Sequence, residues 1–120
     1  MSLQEQMREM VESGRFDDAL RLYKENGDEA RYRVADREEL KSIIDRCIRQ
    51  NPNCDLNWLD VSGVTDMHDL FYCANFNGDV SDWDVSNVTD MDHMFRRSSF
   101  SGDISKWDLR HITDKAHIFC

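Results

Sequence analysis

The residues that could do chemistry in this sequence are mostly aspartates, and they recur at a fixed spacing of 24 positions. The rows they form are Asp55, Asp79 and Asp103; Asp60, Asp84 and Asp108; and Asp66, Asp90 and Asp114. Regular carboxylates can bind calcium, but calcium-binding repeats are shorter and richer in Gly, and no EF-hand spacing is present. Asp also accepts backbone N–H bonds in turns and caps, and we expect this to be the main reason for the residue type.

The cysteines and histidines form no motif that binds a metal or carries out catalysis. The cysteines are Cys47, Cys54, Cys73 and Cys120, and there is neither a CxxC pair nor an HExxH motif. Without a secretory signal, we expect these thiols to be reduced. A nucleophile elbow, a Walker loop and a GxGxxG motif are also missing. The sequence therefore predicts no catalytic residue, no metal and no cofactor, and hence no enzyme.

The charge of the protein restricts its partners. The net charge is −9, and residues 51–120 contribute −7 of it, with twelve Asp and no Glu against five Lys and Arg. Such a surface repels phosphate and anionic lipid, so we expect no direct binding to nucleic acid or membranes, and instead a protein partner with a basic surface. No apolar run is long enough to cross a bilayer, and no signal peptide is evident, so we expect a cytoplasmic protein.

The elements that must position these residues fall into two regions. Residues 1–51 are predicted to form a helical cap, with helices near 3–13 and 15–26 and a third that begins at Asp36 and ends at the Asn51-Pro52-Asn53 break. Asp36 and Glu39 have the spacing of a capping box. Residues 52–120 are rich in turn-forming residues and are predicted to pack on this cap as part of one unit.

The second region repeats every 24 residues. Thr65, Thr89 and Thr113 each precede an acidic residue and an apolar set, which predicts a capped short helix in each unit. One unit cannot bury its own apolar face, so equivalent residues should line up between units, with Phe71, Phe95 and Phe119 in one column. The predicted core comprises Met67, Leu70, Phe71, Phe76, Val80, Trp83, Met91, Met94, Phe95, Phe100, Ile104, Trp107, Ile118 and Phe119.

The repeat resembles a known family. Residues 83–95 read WDVSNVTDMDHMF, and residues 76–81 and 100–105 read FNGDVS and FSGDIS. This pattern resembles the BspA-like leucine-rich-repeat family, in particular the variant of Mycoplasma surface lipoproteins, over residues 52–120. The resemblance implies an α+β fold in which a short leucine-rich-repeat-like solenoid of about 2.5 repeats follows the helical cap. It also implies a binding function and no catalytic residues.

Three functions compete at this point. The first is a non-enzymatic protein–protein interaction module that binds through an acidic repeat surface. The second is a small acidic inhibitor, encoded by a phage or mobile element, that mimics nucleic acid at an enzyme's binding site. The third is a diverged bacterial surface adhesin. The last repeat has no obvious polar cap, so we expect this end to pack on a second copy of the chain as a homodimer, on a partner, or on the chain's own helices. The candidate binding residues are Asp60, Asp84, Asp108, Asp66, Asp90, Asp114, Asp82, Asp92, Tyr72, Arg96 and Arg97.

Overall fold

Three α-helices occupy the first part of the chain, where the sequence predicts them. The structure is a computed structural model that describes residues 1–113 and 115–119. Each predicted helix boundary lies within one residue of the observed one. The elements in order are α1 (Leu3–Glu12), α2 (Phe16–Asn26), a 3₁₀ turn (Gly27–Ala30), β1 (Tyr32–Arg33), α3 (Arg37–Gln50), β2 (Leu59–Asp60) and a second 3₁₀ turn (Lys115–Ile118).

Side-chain caps explain where α1 and α3 begin. The Ser2 hydroxyl accepts a hydrogen bond from the Glu5 backbone N–H at 3.2 Å. The Asp36 carboxylate accepts one from the Glu39 N–H at 2.9 Å, and the Glu39 carboxylate accepts one from the Ala35 N–H at 2.8 Å. These bonds satisfy N–H groups that lack a partner inside a helix, and they place negative charge at its positive end. The cap predicted at Asp36 is therefore confirmed, whereas the Glu39 carboxylate bonds to the residue before the cap instead of to Asp36 itself.

A short parallel sheet joins the helical part of the chain to the repeating part. In this sheet Tyr32 of β1 lies opposite Leu59 of β2, and Arg33 lies opposite Asp60. The Tyr32 N–H donates to the Trp58 carbonyl at 2.9 Å. One hydrophobic core runs through both parts and includes residues of α1, α2 and α3 as well as residues of every 24-residue unit. The sequence did not predict β1, because two residues are too few to show a strand pattern.

The prediction of a leucine-rich-repeat-like solenoid is wrong. The protein is an α+β domain of three helices and one two-stranded parallel sheet that does not close. A leucine-rich repeat needs a strand from every unit in one continuous sheet. Among the described residues, the repeating part contributes only β2 and two isolated parallel bridges, Asp55 with Asp79 and Asp66 with Asp90. The short helices predicted after Thr65 and Thr89 are turns.

The hydrogen bonding explains why turns replace those helices. The N–H groups of Met67 and Phe71 donate to the carbonyls of Asp90 and Met94, each at 2.8 Å, in the next unit along the chain. Because these N–H groups already bond to another unit, they are not available for the hydrogen bonds within a helix. Asp69 adopts a φ of 56°, and the equivalent His93 in the next unit one of 59°, which is left-handed backbone that a right-handed helix cannot contain.

Equivalent aromatic side chains, 24 positions apart, do pack against each other. The ring centroids of Phe71 and Phe95 are 5.2 Å apart, and those of Phe95 and Phe119 are 5.3 Å apart, so the predicted phenylalanine column is confirmed. The Trp83 and Trp107 rings stack at 6.3 Å. Their indole N–H groups donate to buried carbonyls, at 2.8 Å for Trp83 and 2.9 Å for Trp107. These tryptophans are therefore core residues, as predicted.

Burial of the predicted core has two exceptions. All of the residues proposed for the core are buried except Ile104, which is half-buried, and Phe119, which is 51% exposed. Phe119 stacks on Phe95 with one face of its ring, and its remaining surface is open to solvent. The expectation that Phe119 is a core residue is therefore wrong, because its stacking contact covers only one face.

Candidate functional site

The repeating aspartates sit at turns, where each carboxylate accepts the backbone N–H two residues further on. This geometry is an Asx turn, in which the side chain takes the place of a backbone acceptor. It holds the carboxylate at a fixed place on the surface. The donor N–H distances are 3.0 Å for Asp60, 3.1 Å for Asp84, 3.1 Å for Asp108, 2.9 Å for Asp66, 3.0 Å for Asp90, 2.9 Å for Asp55, 2.9 Å for Asp79 and 2.8 Å for Asp103.

These hydrogen bonds favour the ionised form of several of the carboxylates. The backbone N–H and the hydroxyl of Ser81 both donate to Asp79, and they lower its pKa. At Asp60 burial raises the pKa, but the bonds from Ser62 and the charge of Arg33 outweigh that effect, so the net shift is downward. A carboxylate whose pKa lies below its ordinary value is charged at neutral pH.

In two of the rows, bridges between units make two successive aspartates direct neighbours. Parallel bridges join Asp55 to Asp79 and Asp66 to Asp90, so the members of each pair are direct neighbours. Asp79 and Asp103 line the same shallow surface cleft, which runs across two units. Asp114, the last member of the third row, lies outside the described residues. We call the rows Asp55/Asp79/Asp103, Asp60/Asp84/Asp108 and Asp66/Asp90 the acidic rows.

Basic side chains neutralise only part of this charge. Arg33 lies 3.9 Å from Asp60, Lys106 lies 3.3 Å from Asp82, and the Arg110 Nε donates to Asp108 at 2.8 Å. In the part of the chain that the structure describes, no Lys or Arg forms an ion pair with Asp79, Asp84 or Asp103. These three carboxylates are exposed, and the charge of Lys106 acts on Asp79 and Asp103 without forming an ion pair with either.

Tyr72, Arg96 and Arg97 lie on turns of two successive units. Tyr72 is 40% exposed on the turn after Phe71, and the backbone of the next residue bonds to the Arg96 carbonyl at 2.9 Å. Arg96 therefore lies on the turn next to the one that carries Tyr72, and Arg97 is exposed. Asp92 is exposed, and its carboxylate lies 3.9 Å from the His117 ring.

A group of possible metal ligands is present that the sequence did not predict. The Asp66 carboxylate, the His68 ring and the Asp90 carboxylate each offer one ligand atom, and these atoms lie within 4.8 Å of one another. The His68 Nδ1 already pairs with Asp66 Oδ1 at 2.7 Å. No local sequence motif indicates this group, because Asp90 belongs to another unit and is brought to Asp66 and His68 by the bridge between the two units. A divalent cation would have to compete with the existing hydrogen bond.

The fold and the acidic rows together define a small α+β protein built on a 24-residue sequence repeat with a charged, turn-rich surface. The chain belongs to the family described as "Mycoplasma protein of unknown function, DUF285", whose model matches residues 38–120. The match begins inside α3, so the family unit includes that helix as well as the repeats. No curated protein and no solved structure matches the chain. None of the helices in the described ranges has the length and apolar character needed to cross a membrane.

Proposed function

We propose that this protein is a non-enzymatic interaction module that binds the basic surface of a partner protein through its acidic rows. The proposal depends on the fixed positions and the unpaired charge of the carboxylates of Asp79, Asp84 and Asp103. Their carboxylates are fixed by Asx turns and have no ion-pair partner among the described residues. Fixed charges of one sign steer an oppositely charged partner and lose little side-chain freedom when it binds.

The sequence relationship supports a binding role. Residues 83–95 resemble the BspA-like repeats of surface proteins, and we propose that the chain shares a binding role with them, although not their solenoid architecture. These carboxylates also stabilise the turns in which they lie. The Ser81 hydroxyl donates a hydrogen bond to Asp79 at 2.7 Å, and the Ser86 hydroxyl donates one to Asp84 at 2.6 Å. The same carboxylates therefore hold the turns and present charge.

The partner could be of two kinds, which affinity capture distinguishes. If the acidic rows mimic nucleic acid, the captured protein is a nucleic-acid-binding enzyme, and added DNA or RNA displaces this protein from it. If the chain acts as an adhesin, the captured protein comes from the surface of another cell and is not displaced by nucleic acid. Self-association through the last repeat is a further proposal, and light scattering at high protein concentration tests it.

The test uses two variants with the same loss of charge in different places. The first carries Asp79→Asn, Asp84→Asn and Asp103→Asn, which keep the side-chain acceptor of each Asx turn. The control removes three exposed acids from the helices: Glu9→Gln, Glu12→Gln and Glu25→Gln. We expect wild type and the helix control to capture the same protein, and the acidic-row variant to capture much less of it. Equal capture by all three proteins would overturn the proposal.

A further inference from the structure

Two cysteine thiols lie together in a small cavity where the helices meet the repeats. The cavity has a volume of about 50 Å³ and is lined by Cys47, Cys54, Phe16 and Trp58, among others. Cys47 belongs to the last turns of α3 and is 2% exposed, whereas Cys54 is half-buried. The chain doubles back between them, because the Asn51 N–H donates to the Cys47 carbonyl and the Cys54 N–H donates to the Asn51 carbonyl.

The two thiols differ in reactivity. The neighbouring Cys54 thiol raises the pKa of Cys47, and burial raises it further. The neighbouring Cys47 thiol lowers the pKa of Cys54 and outweighs the effect of burial there. The thiolate is the nucleophile in thiol–disulfide exchange, and a small reagent can reach the half-buried Cys54 but not the buried Cys47, so Cys54 reacts first. Its partial exposure gives a small reagent access, and the buried Cys47 is placed to react second.

The position of the pair gives a bond between them a structural consequence. On one side, α3 is tied to the loop between α1 and α2, where the Gln50 side chain donates to the Gly14 carbonyl at 2.9 Å. On the other side, the Cys54 carbonyl accepts the Asp79 N–H at 3.1 Å, and Asp79 belongs to the acidic rows. A covalent link between Cys47 and Cys54 would therefore fasten the end of α3 to the first of the bridged units.

We propose that Cys47 and Cys54 form a reversible disulfide, with a low-molecular-weight disulfide as the oxidant. The Cys54 thiolate attacks one sulfur of the oxidant, the sulfur–sulfur bond of the oxidant breaks, and one thiolate leaves. Cys47 then loses its proton to the medium and attacks the Cys54 sulfur, which releases the second thiolate of the oxidant. In total two protein thiols are oxidised and one small disulfide is reduced to two thiols. This site is independent of the proposed binding function.

The test uses the full chain with Cys73→Ser and Cys120→Ser, so that only the proposed pair remains. The protein is equilibrated with glutathione disulfide and glutathione at several ratios, trapped with acid and an alkylating reagent, and mapped by tryptic digestion. No Lys or Arg lies between Gln50 and Arg96, so the disulfide joins residues 47–49 to residues 50–96. We expect this cross-linked species, lighter by two hydrogen atoms than its reduced parts, in oxidising buffer and its loss on reduction.

Single variants test the order of the two steps. In the same background, Cys47→Ser should accumulate a stable glutathione adduct on Cys54, whereas Cys54→Ser should leave Cys47 a free thiol. Closing this short loop should also raise the midpoint of thermal unfolding by roughly 5–10 °C in the oxidised protein. The proposal is overturned if the two-cysteine protein stays fully reduced in oxidising buffer, or if Cys54 ends as a glutathione adduct while Cys47 stays free.

Discussion

Replacing Gly78 by Ala probes the contact that joins the segment after α3 to the next unit. A Cβ at position 78 would overlap the Cys54 carbonyl oxygen and come within 2.7 Å of the Phe76 ring. Because the first obstacle is backbone, the chain has to move. That movement breaks the bonds from the Asp79 N–H to the Cys54 carbonyl and from the Leu56 N–H to the Asp79 carbonyl.

The size of the effect follows from these contacts. The two broken hydrogen bonds cost about 0.5–1.5 kcal/mol each. Crowding against Phe76 adds about 1–3 kcal/mol. We therefore expect Gly78→Ala to lower the free energy of unfolding by about 4 kcal/mol, which is a large share of the stability of a small domain. In urea this loss moves the unfolding midpoint down by about 2 M, given a slope of about 2 kcal/mol/M.

The assay is urea unfolding followed by tryptophan fluorescence. Trp58, Trp83 and Trp107 are all buried, so unfolding exposes every tryptophan in the protein. Gly63→Ala is the matched control, because its Cβ would meet only the end of the flexible Arg33 side chain, at 3.1 Å. The control should unfold within about 1 kcal/mol of wild type. If Gly78→Ala also unfolds within that margin, the close approach of Cys54 to Gly78 does not exist in solution.

Three further predictions concern the core, the acidic rows and the helix cap. Phe95→Ala should cost about 3–5 kcal/mol of unfolding free energy in urea, and Phe119→Ala about 1 kcal/mol, because only Phe95 is buried; equal losses would contradict the packing. The stability that Asp79 gains from its lowered pKa is complete above the unfolded value of about 3.9 and is lost as the pH falls through the folded value. The stability difference between wild type and Asp79→Asn should therefore shrink when urea unfolding is repeated at about pH 2.5 instead of pH 5, and a constant difference would refute this. Asp36→Ala should cost about 1 kcal/mol and Asp36→Asn much less, as measured by circular dichroism during unfolding, and equal losses for the two variants would show that the capping hydrogen bond is not the cause.

Features encoded by neighbouring residues could be predicted from the sequence. The three helices follow from local apolar spacing and from caps such as Ser2 and Asp36, whose partners lie three residues away. The phenylalanine column also follows, because a 24-residue period names its members without any knowledge of the path between them. In both cases the interacting residue lies at a fixed number of positions along the sequence, three for the caps and 24 for the phenylalanines.

Features that depend on the path of the chain could not be predicted. Thr65 and Thr89 look like helix caps, but the Thr89 N–H donates to the Thr65 carbonyl of the preceding unit at 2.8 Å. Local propensity favours a short helix here, and hydrogen bonds between units outweigh it. The resemblance to leucine-rich repeats led to the wrong architecture for the same reason, since sequence motifs do not show which N–H groups pair across units. Only two isolated bridges form between the repeats in the described ranges.

The candidate sites also differ in whether they depend on neighbouring residues or on the path of the chain. The Asx turns could be predicted, because Asp followed two residues later by Ser is a local signal, as at Asp79 and Asp84. The metal-ligand group could not, because Asp90 joins Asp66 and His68 across a bridge. The Cys47 and Cys54 pair was also missed, since six residues lie between the two cysteines and only the turn after α3 brings their thiols into one cavity.

The affinity of the captured partner for the acidic-row variant is the most direct test of the proposed function. Because each surface ion pair contributes little by itself, the loss of three exposed carboxylates predicts a loss of about tenfold in affinity. Isothermal titration at low and high salt should show this loss for the Asp79→Asn, Asp84→Asn, Asp103→Asn protein, together with a weaker salt dependence than wild type. The helix control should bind as wild type does. An unchanged dissociation constant for the acidic-row variant, at both salt concentrations, would contradict binding through these carboxylates.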